Sequence, residues 1–367
     1  MPTTQCVAQA GDSELRIAQI APLFESVPPK LYGGTERIVS YITEELVTQG
    51  HEVTLFASGD SVTTAKLRAS CPISLRLDPN STMELPHHVL MLERLIKDAD
   101  EFDLIHSHID YLPFSLFRRS QVPTVTTFHG RLDITDLAPV LQEFSDLPVA
   151  SISDSQRVPV PWLNWQGTVY HGLPTSLYRF VERPGKYLAF LGRIAPEKRP
   201  DVAIEIAKRT GMKLIIAAKV DRVDQRYFDQ VIKPLLDHPL IEYIGEIGQA
   251  EKEEFLGNAY ALLFPIDWPE PFGLVMVESM ACGTPIIAFN RGSVPEVIED
   301  GVNGFVVSNI EGAVDAVERI SELNRLQCRQ MFETRFSAVR MVHEYVEIYQ
   351  RLLHREVSPL TPVGSVA

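Results

Sequence analysis

Short apolar runs alternate with amphipathic helical stretches along almost the whole chain. The alternation breaks once, at Val181-Glu182-Arg183-Pro184-Gly185-Lys186, and then restarts. Before the break the strand candidates are Leu15–Ile20, Glu52–Ala57, Leu104–Ser107, Thr124–His129, Val149–Ser153 and Thr168–His171. After it they are Tyr187–Leu191, Lys213–Ala218, Ile241–Ile244, Ala261–Phe264, Pro285–Phe289 and Gly304–Val307. Strands that are apolar throughout and separated by helices require a mostly parallel sheet covered on both faces. The expected fold class is therefore α/β, with two doubly wound, Rossmann-like domains facing a cleft, and 367 residues suffice for two cores. The first domain is expected over 1–183 and the second over 184–335, with a flexible tail at 356–367. Beyond about residue 310 the pattern is helical. The stretch Phe336–Leu353 reads as a closing helix with Val339, Val342, Val346, Tyr349 and Leu353 on one side, and the segment 336–355 is expected to return to the first domain.

Composition narrows the function. A formal charge of −14 argues against a nucleic-acid partner. The four cysteines, at 6, 71, 282 and 328, form no C-x-x-C, so zinc and thioredoxin-type chemistry have no support. No run of about 18 apolar residues is present to span a membrane. The start of the chain does not read as a signal peptide, so the cytoplasm is the expected compartment.

Ligands of doubly wound sheets sit beyond the carboxyl ends of the strands, and several segments fall there. Tyr32-Gly33-Gly34-Thr35-Glu36 opens a helix expected over Thr35–Gln49. Its paired glycines permit close approach of an anion or a sugar, but equally make a tight turn capped by Thr35. In Gly192-Arg193-Ile194-Ala195-Pro196-Glu197-Lys198 an Arg and a Lys five residues apart suit a diphosphate. The most informative segment runs from Pro265 to Glu278. Glu270 stands between two prolines, Gly273 opens a helix whose first amides (Gly273, Leu274, Val275) face an anion, and Glu278 lies about one turn in. Carboxylates beside an anion site suit sugar and ribose hydroxyls. Thr126-Thr127-Phe128-His129-Gly130 ends a strand with an imidazole toward the cleft, although a structural histidine is the more frequent outcome. His106 and His108 are read as alternating across their strand, without a third metal ligand. Asp98-Ala-Asp100 reads as solvated surface.

Together these residues resemble the retaining glycosyltransferases of family 4, which have the GT-B fold. The resemblance runs from about Arg16 to Leu353. It is carried by Glu270…Glu278 within E-P-F-G-L-V-M-V-E, then by Met280-Ala-Cys-Gly-Thr-Pro and Gly292-Ser-Val-Pro-Glu296. It implies that Arg193 and Lys198 hold a donor diphosphate with the backbone at Gly273, Leu274 and Val275. Glu278 then binds the ribose, Glu270 a hydroxyl of the transferred sugar, and Ile247 lies beside the base, with Phe272 also in the donor site. Gly33 and Gly34 lie under the donor, and His129 faces the reacting sugar. The resemblance further implies no metal or other cofactor, a uridine diphosphate sugar as donor, and retention through a same-face, ion-pair-like transfer. The acceptor is expected to be a small molecule, a glycan or a lipid-linked sugar.

Two departures stand out. Arg199 follows Lys198 where the family often has Gly, and Ala217-Ala218-Lys219-Val220 replaces a Gly-x-Gly turn. A nicotinamide-dependent oxidoreductase needs G-x-G-x-x-G at a domain start, and none occurs. The remaining alternatives are a sugar-nucleotide epimerase or hydrolase on the same fold and a non-catalytic nucleotide-sugar-binding protein.

Overall fold

The computed structural model describes residues 14–30 and 33–354, so Tyr32 and the expected tail at 356–367 lie outside the described residues. Seven parallel strands form the first sheet: β1 (Arg16–Ile20), β2 (Glu52–Ser58), β3 (Lys66–Cys71), β4 (Leu104–Ser107), β5 (Thr124–Thr127), β6 (Val149–Ser151) and β7 (Trp165–Thr168), in the order β3-β2-β1-β4-β5-β6-β7. Six form the second: β8 (Tyr187–Arg193), β9 (Lys213–Lys219), β10 (Ile241–Gly245), β11 (Ala261–Phe264), β12 (Ile286–Phe289) and β13 (Gly304–Val307), ordered β10-β9-β8-β11-β12-β13. Each sheet reverses its winding once, between β1 and β4 and between β8 and β11. Such reversals open a crevice at the strands' carboxyl ends.

The sequence pattern misses β3, an edge strand whose Lys-Leu-Arg-Ala-Ser-Cys run is buried only at Ser70 and Cys71 and has no continuous apolar stretch to mark it. The strand expected at Thr168–His171 lies three residues earlier, at Trp165–Thr168. It is the opposite edge of the sheet and is only half-buried. The helix expected over Thr35–Gln49 spans Gly34–Thr48 with Gly33, not Thr35, at the N-cap.

The closing helix spans Ala338–Leu353. Ser337 caps it by accepting a hydrogen bond from the Arg340 amide. Its buried face is Met341, Val342, Tyr345, Val346, Ile348, Tyr349 and Leu352, whereas Val339 is 57% exposed, contrary to expectation. One apolar cluster runs without a break from Ile17 and Val125 in the first sheet, through Tyr178, to Met276 and Met280 in the second half and Tyr345 and Tyr349 in this helix. The Tyr349 hydroxyl lies 2.7 Å from His106 Nδ1, and Thr127 Oγ1 donates to the Tyr345 hydroxyl at 3.1 Å. His106 Nε2 must then donate to Thr127, leaving Nδ1 to accept from Tyr349. Among the described residues no helix is long and apolar enough to cross a membrane.

Replacing Tyr349 with Phe keeps the ring but strips His106 and the Gln19 amide of their shared partner. The expected cost is about 1–3 kcal/mol in urea denaturation, whereas Val339→Ala should stay within about 0.5 kcal/mol.

Candidate active site

Arg193 is the last residue of β8, and the loop after β11 carries Glu270, so both stand at the switch point of the second sheet. Lys198 Nζ meets Glu270 Oε2 at 2.5 Å, and Trp268 Nε1 donates to the same oxygen at 2.6 Å. The ammonium also lies 4.9 Å from the centre of the Trp268 ring, a cation–π contact. Sequence reading gave Lys198 and Glu270 separate ligands; in the structure they are each other's partner. Arg193 is likewise engaged, by Glu197 at 2.7 Å, Asp224 at 3.3 Å and Asp221 at 3.5 Å. Arg199, standing where glycine was expected, adopts a left-handed conformation at φ 52°. Asp201 at 3.0 Å and Asp267 at 3.3 Å hold its guanidinium. Lys219 pairs with Asp221 at 3.0 Å.

Gly273 is left-handed, φ 82°, and caps the helix Leu274–Ala281, whose first amides lack intrahelical partners. Glu278 lies inside that helix, 3% exposed, and accepts from Lys252 Nζ at 2.8 Å and the Tyr178 hydroxyl at 3.0 Å. Phe272 is buried, with its ring 4.9 Å from His171 and 6.1 Å from Phe336. Its carbonyl accepts from the Ser293 hydroxyl at 2.9 Å. Ile247, Leu274 and Val275 are half-buried at the edge of the same cluster.

From the first half, a Cβ on Gly34 would lie 3.6 Å from Leu274 Cδ1, so the glycine loop rests on the start of that helix. A Cβ on Gly33 would come within 2.8 Å of Pro29, which explains its lack of a side chain. His129 Nε2 lies 2.9 Å from His108 Nδ1, and His108 Nε2 lies 2.8 Å from Gln19 Oε1. Because the Gln19 amide nitrogen donates to Tyr349, its oxygen accepts from His108 Nε2–H; His108 Nδ1 then accepts from His129. His106 and His108, two residues apart, share one side of β4 with ring centres 4.1 Å apart, rather than alternating across it. His171 stacks on His129 at 5.2 Å. Burial drives His106, His108 and His171 well below the usual imidazole range, and His129 down to about 3.

Several residues of this arrangement were not singled out in the sequence. Gln156 donates to the carbonyls of Phe128 and Gly130, on either side of His129, at 3.0 and 2.7 Å. Glu296, which the sequence marked only as the end of the Gly292-Ser-Val-Pro-Glu296 motif, reaches across to the first half, accepting from the amides of Asp154 and Ser155 at 2.7 and 2.8 Å and from the Tyr170 hydroxyl at 3.1 Å. Lys252, Tyr178, Gln19 and His171 complete the set, and their partners lie too far along the chain for any local pattern to show, whereas Trp268 reaches Glu270 only two residues on. A pocket of about 260 Å³ opens between Arg131, Leu132 and Gln156 of the first half and Pro269 and Pro271, the two prolines that flank Glu270.

Residues 180–335 match the family described as Glycosyl transferases group 1, and residues 32–189 match Glycosyltransferase Family 4. The chain is a GT-B glycosyltransferase of the family 4 type. It is 34% identical over 135 residues to D-inositol 3-phosphate glycosyltransferase of Mycobacterium marinum, covering 34% of this chain and 27% of that protein. It is 29% identical over 177 residues to an uncharacterized 41.2 kDa protein from the cps region of Klebsiella pneumoniae, 46% of this chain and 48% of that one. These matches therefore span about a quarter to a half of the relatives' lengths. An uncharacterized glycosyltransferase of Methanocaldococcus jannaschii aligns over 358 residues at 24% identity, 82% of this chain and 88% of the relative. Among solved structures, sucrose-phosphate synthase of Thermosynechococcus elongatus superposes with a TM-score of 0.74 at 17% identity, covering 92% of this chain and 99% of that one. HepE of Anabaena, solved with UDP and glucose, gives 0.70 at 16% identity, over 92% and 100% of the two chains. At these identities the likeness concerns the fold.

The four histidines are neutral in the fold and titrate near 6.5 when unfolded. Their contribution to stability is complete above pH 6.5 and is lost as the pH falls toward their folded values, by about 1.4 kcal/mol per pH unit for each. Asp110, Glu25, Glu36 and Asp224 are raised, chiefly by burial, and so oppose the trend at lower pH, but His88 is lowered by burial as well and adds a fifth imidazole to the trend. The urea midpoint should therefore drop between pH 7 and 5.5; a constant midpoint would contradict the neutral assignment.

Proposed function

We propose that the chain transfers a hexose from a uridine diphosphate sugar to an acceptor hydroxyl, with retention of anomeric configuration and without a divalent metal. The observation that carries this reading is the Lys198–Glu270 pair at the switch point of the second sheet, beside the amides that open the helix Leu274–Ala281. An incoming donor exchanges that contact for two others. Its diphosphate takes Lys198, together with Arg193 and the helix amides, and a sugar hydroxyl takes Glu270. Glu278, held by Lys252 and Tyr178, keeps a fixed carboxylate for the ribose hydroxyls. A uridine donor is favoured by HepE, a neighbour in fold that has been solved with UDP-glucose. The free, buried thiols of Cys71, Cys282 and Cys328 suit a reducing cytoplasm.

In the transfer, the bond between the sugar's anomeric carbon and the β-phosphate oxygen breaks, and its electron pair leaves with the diphosphate. The two cations stabilise the charge that develops there, as a preorganised electrostatic site does. The acceptor oxygen bonds to the anomeric carbon on the same face and releases its proton to the departing phosphate. Neutral His129 and Glu270 orient the sugar during this step.

Titration with UDP-glucose in the presence of chelator, followed by turnover measurements, tests the scheme. Glu278→Ala should weaken donor binding about tenfold or more. Glu270→Ala should keep UDP binding but lower turnover about 10²–10³-fold. Unchanged turnover in Glu270→Ala would sink the assignment. Rapid consumption of the donor without an acceptor would favour a hydrolase.

A further inference from the structure

The loop after β4 carries a carboxylate that the scheme above leaves unused. Asp110 lies three residues beyond Ser107, and His129 lies three beyond Thr126, the register partner of Ser107. Both residues therefore follow neighbouring strands, three positions past a register pair, in the loops at the carboxyl end of the first sheet. Asp110 has φ 51°, one of two non-glycine residues with positive φ among those described. The other, Arg199, is anchored by Asp201 and Asp267. Asp110 has no hydrogen bond or ion pair among the described residues. A strained backbone that presents an unpartnered acid is characteristic of a position kept for a ligand rather than for the fold.

Its surroundings fit that use. The residue is open to solvent, yet enough protein encloses the carboxyl to push it up to about 6, and no neighbouring charge contributes to the shift. The loop that carries it lies at the carboxyl ends of the strands, where ligands of doubly wound sheets bind. The adjoining Tyr111 is 39% exposed and offers a ring face.

We infer that Asp110 is an acceptor-binding residue that takes hydrogen bonds from the hydroxyls of an uncharged sugar ring and so sets which hydroxyl meets the donor. A carboxylate with no cation beside it accepts hydroxyl donors and repels phosphate or carboxylate groups. The inference rests on the transferase reading.

The test uses the full chain with UDP bound. The probes are the methyl α- and β-glycosides of glucose, galactose and mannose, with the 6-phosphates of the same sugars for comparison, and binding is read by saturation-transfer NMR. Asp110→Gly removes the carboxylate and relaxes the left-handed backbone, so this variant should melt no lower than the wild type. Asp110→Asn keeps the shape without the charge. At least one methyl glycoside should bind the wild type and weaken about tenfold in Asp110→Gly, less in Asp110→Asn, while UDP affinity stays within about twofold. Equal glycoside binding in Asp110→Gly, preference of the wild type for the phosphates, or no glycoside binding while UDP binds would each overturn the inference. Failure of UDP to bind the wild type would instead strike the transferase reading on which the inference stands.

Discussion

The cleft depends on the contact between Lys198 and Glu270. Both side chains are largely withdrawn from solvent, at 16% and 11% exposure, so removing either partner leaves a poorly hydrated charge. Trp268 fixes the pair twice over, by donating to Glu270 and by placing its ring under the ammonium. The backbone around Glu270 is equally constrained. Gly292 sits against it so closely that a Cβ would come within 2.3 Å of the Glu270 nitrogen, and Ser293 donates to the Glu270 carbonyl at 2.9 Å. A carboxylate held in this way adapts little, which suits the sugar-orienting role proposed for it.

The two sheets must also stay in register across the cleft. The contacts that hold them include Glu296 on the amides of Asp154 and Ser155, Phe272 against His171, the Gly34 loop against Leu274, and, last, the closing helix against the first sheet. The last of these leads directly into the site. Tyr349 satisfies His106 and receives the Gln19 amide, and Gln19 fixes the tautomer of His108, which in turn fixes that of His129. A helix more than 200 residues downstream in sequence thus sets the protonation pattern of an imidazole at the cleft.

Much of this was legible in the sequence. Buried parallel strands announce themselves as apolar runs, so twelve of the thirteen strands could be anticipated, although β7 was displaced. The edge strand β3 could not, because its polar residues interrupt any apolar run. The prolines around Glu270 and the glycine opening the next helix pointed to the loop at the switch point of the second sheet. What local pattern cannot carry is pairing at a distance: Glu270 with Lys198, Glu278 with Lys252 and Tyr178, and Gln19 with His108 are brought together only by the fold. Arg199 and Asp110 illustrate a second limit. Their left-handed backbones are imposed by the surrounding structure on residue types that do not advertise them.

The central claim is that the donor displaces Glu270 from Lys198. Calorimetric titration of UDP, which lacks the sugar, into wild type and Glu270→Gln addresses it most directly. If the carboxylate competes with the diphosphate for Lys198, the variant should bind UDP as tightly as the wild type or more tightly, and the advantage of UDP-glucose over UDP should shrink. Weaker binding of UDP and UDP-glucose by the same factor would contradict the exchange and make Glu270 a support of the nucleotide site alone.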